Sequence, residues 1–121
     1  MNAIELARQA YAPAQTVIRT PRSVEAQLFA EITSKLGDVG DDYPALAAAL
    51  HQNRQLWNAL AIDVADRDNG LPSELRARIF YLAQFTEKHS QQVLRGEAEV
   101  APLIEINTTI LRGLQSRAAQ I

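Results

Sequence analysis

The chain has 121 residues, a length that suits one domain with a single core. Its 47% of hydrophobic residues against 21% charged is the balance of a folded globular protein, and no apolar run approaches the roughly 18 residues that a membrane span needs. A net charge of −2 argues against a nucleic-acid binder or a protein held on an acidic membrane surface, and the lack of cysteine excludes disulfides, thiolate metal sites and a cysteine nucleophile.

In chain order, Met1-Asn2-Ala3-Ile4-Glu5 has no basic segment followed by an apolar run, so no secretory signal is expected and the expected location is the cytoplasm. Residues 2–12 read as a short helix, with Asn2 as cap, Glu5 three residues on, and Ile4, Leu6, Ala7, Ala10 and Tyr11 as apolar surface. So short a helix is not stable alone and must dock or bind something. Residues 13–20 are a linker between Pro13 and Pro21 with no helical period. Thr20-Pro21 then opens a second helix carrying Val24, Leu28, Phe29, Ile32 and Leu36, which Gly37 is expected to end.

After an acidic loop, Asp42 or Tyr43 caps a third helix that should reach about Ala65. Its seam is Leu46, Leu50, Asn53, Trp57, Leu60 and Val64, stepping alternately by four and three. Asp66 to Leu71 contains Asn69-Gly70, which suits a turn through positive φ, and Pro72 starts a fourth helix that reaches about Arg95. That helix repeats the seam with Leu75, Ile79, Leu82, Thr86, His89 and Val93. A fifth helix begins at about Glu97 or Glu99, has Pro102 in its first turn, and carries Val100, Ile104, Asn107, Leu111, Leu114 and Ala118. No alternating strand pattern occurs, so the expected fold is all-α: an antiparallel bundle of about five helices, with three long ones as the core, the 21–37 helix packed across them and the first as an arm.

Counting outward from the two turns puts Asn53, Thr86 and Asn107 at one depth, which predicts a buried polar layer that sets helix register. Elsewhere the pattern is poor in chemistry. His51 is expected on the surface and His89 in a structural hydrogen bond; Asp63, Asp66 and Asp68 lack the spacing of a calcium loop; the serines have no matched His and Asp. Arg76 and Arg78 beside Phe80 and Tyr81 read as a solvated face. No catalytic residue, cofactor or metal is therefore expected, and no enzymatic activity. What is left over is apolar surface: Phe80, Tyr81 and Phe85 on the fourth helix, Leu56 and Ile62 on the third. Either the 21–37 helix or the arm covers it, or it receives a partner's amphipathic helix.

The runs Asn53-Arg54-Gln55-Leu56-Trp57, Asp63-Val64, Asn69-Gly70-Leu71-Pro72, Leu75-Arg76-Ala77, Tyr81-Leu82-Ala83, Phe85-Thr86, His89-Ser90, Leu94-Arg95-Gly96 and Ile106-Asn107, with Ala10-Tyr11 and Arg19-Thr20-Pro21-Arg22, resemble the flagellar biosynthesis regulator FlaF family of alphaproteobacteria. The resemblance spans nearly the whole chain. It implies a small cytoplasmic factor that binds flagellin as a secretion chaperone and regulates its synthesis and export, alongside the translation regulator FlbT and the export apparatus. An alternative is a post-transcriptional regulator acting on flagellin mRNA or through a translation partner. Flagellin's terminal segments are amphipathic and helical, which suits an apolar groove. The family lends no binding motif residue by residue. The expected partner contacts come from the residue pattern: Leu56, Trp57, Phe80, Tyr81 and Phe85, with Ile4, Leu6 and Tyr11 from the arm.

Overall fold

The computed structural model describes residues 21–119, with side chains from 26 to 113. Within that span the chain is all-helical, with α1 at Pro21–Asp38, α2 at Tyr43–Ala65, a 3-10 turn at Arg67–Asn69, α3 at Ser73–Leu94 and α4 at Ala101–Ala119. Four long helices thus stand where the pattern suggested five; the expected arm helix at 2–12 and its linker lie outside the described residues.

The helix ends follow the local chemistry. Asp42 caps α2 by accepting from the Ala45 N–H at 3.1 Å, with Pro44 in the first turn. Past α2, the Asp66 carboxylate accepts from Asp68 N at 2.9 Å and Gly70 turns the chain at φ 87°, so the acidic run is a capped turn. Gly96, at φ 74°, closes α3: its N–H reaches Val93 O at 3.0 Å while Glu97 N reaches Gln92 O at 2.9 Å, the paired bonds of a Schellman motif. Two boundaries depart from expectation. Helix α1 runs through Gly37 to Asp38, because Gly40 (φ 53°) and not Gly37 is the residue that adopts the left-handed turn. Helix α4 starts at Ala101, after Gly96 and Glu97 have been used to finish α3.

Helices α2 and α3 form an antiparallel hairpin in constant register. Near the turn, Arg76 Nε donates to Val64 O at 2.7 Å, which satisfies a carbonyl at the negative end of α2. Far from it, Arg54 forks onto Glu87, with Nε to Oε2 at 2.8 Å and a second, shorter bond from Nη2 to Oε1. Helix α1 lies antiparallel to α2: Phe29 meets Trp57 edge-on at 5.7 Å between centroids, and Lys35 Nζ reaches Gln52 Oε1 at 3.2 Å. The closest helix pairs are α2 with α3 and α1 with α4, and α3 touches α4 much less. The expected arrangement, with α1 laid across a three-helix core, is replaced by these two pairs packed together. On α4, Leu103, one turn before Asn107 and off the expected seam, is completely buried, so this helix turns a different side to the core from the one its pattern suggested.

The polar layer forms with one change of membership. Asn53, Thr86 and Asn107 are all buried. Asn107 Nδ2 donates to Asn53 Oδ1 at 2.7 Å, and Trp57 Nε1 donates to Asn107 Oδ1 at 2.9 Å. The Thr86 hydroxyl bonds neither amide, so the third bonded member is Trp57. Helices α2 and α4 are not directly packed backbone to backbone, so these side-chain bonds are what joins them at this depth. Asn107→Ala strands both the Trp57 N–H and the Asn53 carbonyl; a loss of about 2–3 kcal/mol is expected in urea denaturation.

The Arg54–Glu87 fork also gives the molecule a pH response. The hydrogen bond from Arg54, with a smaller contribution from Gln91, holds the Glu87 carboxyl below its ordinary value of 4.5. A carboxyl lowered in the folded state stabilises at pH above its unfolded value and loses that contribution as pH falls from about 4.5 through the lowered folded value. Both side chains are near one-third exposed, so the pair is worth no more than about 1 kcal/mol. Glu87→Gln should lower the urea midpoint slightly at pH 7 and narrow its difference from wild type at pH 3.

Candidate functional site

Helix α3 has two unlike faces. Ile79, Ala83, Thr86, Ser90 and Val93 are buried against the rest of the molecule. Almost opposite, Ala77, Arg78, Tyr81, Gln84, Phe85 and Lys88 are all exposed. Tyr81 (65% exposed) and Phe85 (37%) stand one turn apart on that outer face. Phe85 stacks on His89, with centroids 5.3 Å apart and planes at 17°. His89 Nε2 in turn donates to the Glu99 carbonyl oxygen at 2.7 Å, so the imidazole ties the α3–α4 connection to the aromatic row. His89 thus has the structural hydrogen bond that its position suggested.

Phe80 (42% exposed) lies round the side of α3, and the hairpin register sets it level with Ile62 of α2, which is 66% exposed. The surplus apolar surface therefore divides into a Tyr81–Phe85 row on the back of α3 and a Phe80–Ile62 pair at the hairpin edge. No described helix covers Tyr81, and α1 packs against α2 and α4.

Leu56 and Trp57 belong elsewhere. At 0% and 1% exposure they are core residues, and a partner on the surface of this conformation cannot reach them. Leu56 was readable as core: Ala49, Asn53, Leu56 and Leu60 form a second seam beside the first, and a helix with two adjacent seams has neighbours on two sides. Ile4, Leu6 and Tyr11 lie outside the described residues.

The basic residues near this surface differ in role. Arg76 is taken up by the Val64 carbonyl. Arg78 stays exposed and sits 3.7 Å from Glu74. Lys88, which the pattern did not single out, completes the outer face one turn beyond Phe85. Among the described residues no group of His, Asp and Glu is placed to hold a metal, and no helix is long and apolar enough to cross a membrane. A shallow depression between Val39, Ala45, Ala48 and Ala49 lies at the α1–α2 end, away from the aromatic row.

The model of the family described as flagellar protein FlaF matches residues 7–114, nearly the whole chain, and the protein belongs to that family. No curated protein and no solved structure matches it.

Proposed function

We propose that this FlaF-family protein binds flagellin on the outer face of α3, and that it acts in the cytoplasm as a non-enzymatic chaperone and regulator of flagellin synthesis and export. One observation supports this above the others: Tyr81 and Phe85 stand exposed, one turn apart, on a helix whose opposite face is fully used by the core. Burying two such rings is worth several kcal/mol to a partner, whereas leaving them in water gains the monomer nothing. An i, i+4 pair of rings is also the footprint that an amphipathic helix fills. The family's flagellar assignment makes flagellin, with its amphipathic helical ends, the fitting guest.

Photo-crosslinking tests the face directly. A benzophenone side chain at position 81 or 85 should capture monomeric flagellin, and one at the exposed His51 should not. Equal capture from all three positions, or capture from position 51 alone, contradicts the assignment of this face. An effect exerted only through flagellin mRNA or FlbT would give no flagellin adduct at any position.

A further inference from the structure

The aromatic row does not stand alone on its face. Arg78, Tyr81, Phe85 and Lys88 step by three, four and three, which puts all four within less than a quarter turn of the helix surface. The order is cation, ring, ring, cation, over about 15 Å of helix. The chain neighbour of Lys88, Glu87, points round to α2 and is engaged by Arg54. Lys88 takes no part in the Arg54–Glu87, Arg78–Glu74 or Arg95–Glu97 pairs. Arg78 is different: Glu74 continues the same strip one turn earlier and approaches it at 3.7 Å, both groups largely in water. The Arg78 end is thus partly neutralised, and the Lys88 end carries the stronger positive field.

We propose that this strip selects an amphipathic helix whose apolar residues are flanked by carboxylates, with the more demanding acidic position opposite Lys88. This rests on the binding role proposed for α3 and names the chemistry of its guest. Charges at the rim of an apolar contact act mainly on association rate and on discrimination between partners, and they weaken as salt screens them. The strip therefore admits a helix with acidic ends and rejects one with basic ends, while Tyr81 and Phe85 supply most of the affinity.

The test measures affinity for monomeric flagellin with the full-length chain at low salt and at ~0.5 M salt. Lys88→Glu should weaken binding about tenfold at low salt, Arg78→Glu about threefold, and both losses should shrink at high salt. Arg67→Glu, the same charge change in the exposed turn before α3, serves as control and should have almost no effect. Lys88→Gln should fall between wild type and Lys88→Glu, and circular dichroism should show all variants folded. Equal effects of Lys88→Glu and Arg67→Glu, with wild-type binding intact and Tyr81→Ala impaired, overturn the charge rule and leave the docking face standing. If wild type itself fails to bind, both fall together. A Lys88 effect that disappears on deleting residues 1–18 assigns the strip to the chain's own N-terminal segment; one that appears in sedimentation as loss of dimer assigns it to a second copy. Either result overturns the proposal.

Discussion

Trp57→Ala should cost about 3–5 kcal/mol of folding stability. The ring is 1% exposed, meets Phe29 edge-on, and carries the N–H that anchors Asn107. Truncation opens a cavity where α1 meets α2 and at the same time strands a buried amide that helps join α2 to α4. A domain of this size has about 5–15 kcal/mol in total, so the variant should be marginal at 37 °C. Trp57→Phe separates the two contributions: it keeps most of the apolar volume and loses the N–H, and about 1–2 kcal/mol is expected. Urea denaturation followed by circular dichroism reads both. If Trp57→Ala folds with wild-type stability, the core has been misplaced.

The Tyr81→Ala, Phe85→Ala double variant should do the opposite. Tyr81 is mostly in water and Phe85 rests mainly on His89, so the pair should cost no more than about 1 kcal/mol of stability. Removing two central rings from a docking face typically costs at least about 2 kcal/mol of binding, a thirtyfold or greater loss of affinity for flagellin. Calorimetric titration and a thermal melt on the same sample separate the two. A variant that unfolds while its folded fraction binds normally would make these rings structural and move the docking surface elsewhere.

Trp57 and Tyr81 also show what could be read from residue order and what could not. Both are aromatic, and both occupy helices with more apolar surface than one seam needs. Trp57 was expected among the partner contacts, yet its place in the alternating step of four and three already pointed inward, and the adjacent buried run through Ala49, Leu56 and Leu60 shows that α2 has neighbours on two sides. Helix ends were legible at Asp42, Gly70 and Gly96, but not at the end of α1, where two glycines compete and Gly40 rather than Gly37 takes the left-handed turn. The polar layer was legible because interruptions of a seam at matching depth are a local signal on each helix. The pairing of α1 with α4 was not, since it depends on which side of α4 faces inward, and Leu103 and Ile104 are equally apolar neighbours. Lys88 was missed for a related reason: its role depends on Glu87 being held by Arg54, a contact between residues 33 apart in the chain.

We propose that α3, with its inner face already spent on the core, offers its outer rings to flagellin. Calorimetric titration of the full-length protein with monomeric flagellin tests it most directly. A saturable complex at micromolar concentration or tighter, lost on replacing Tyr81 and Phe85, is the predicted result; no heat and no complex at that concentration, or a complex indifferent to both rings, would contradict it.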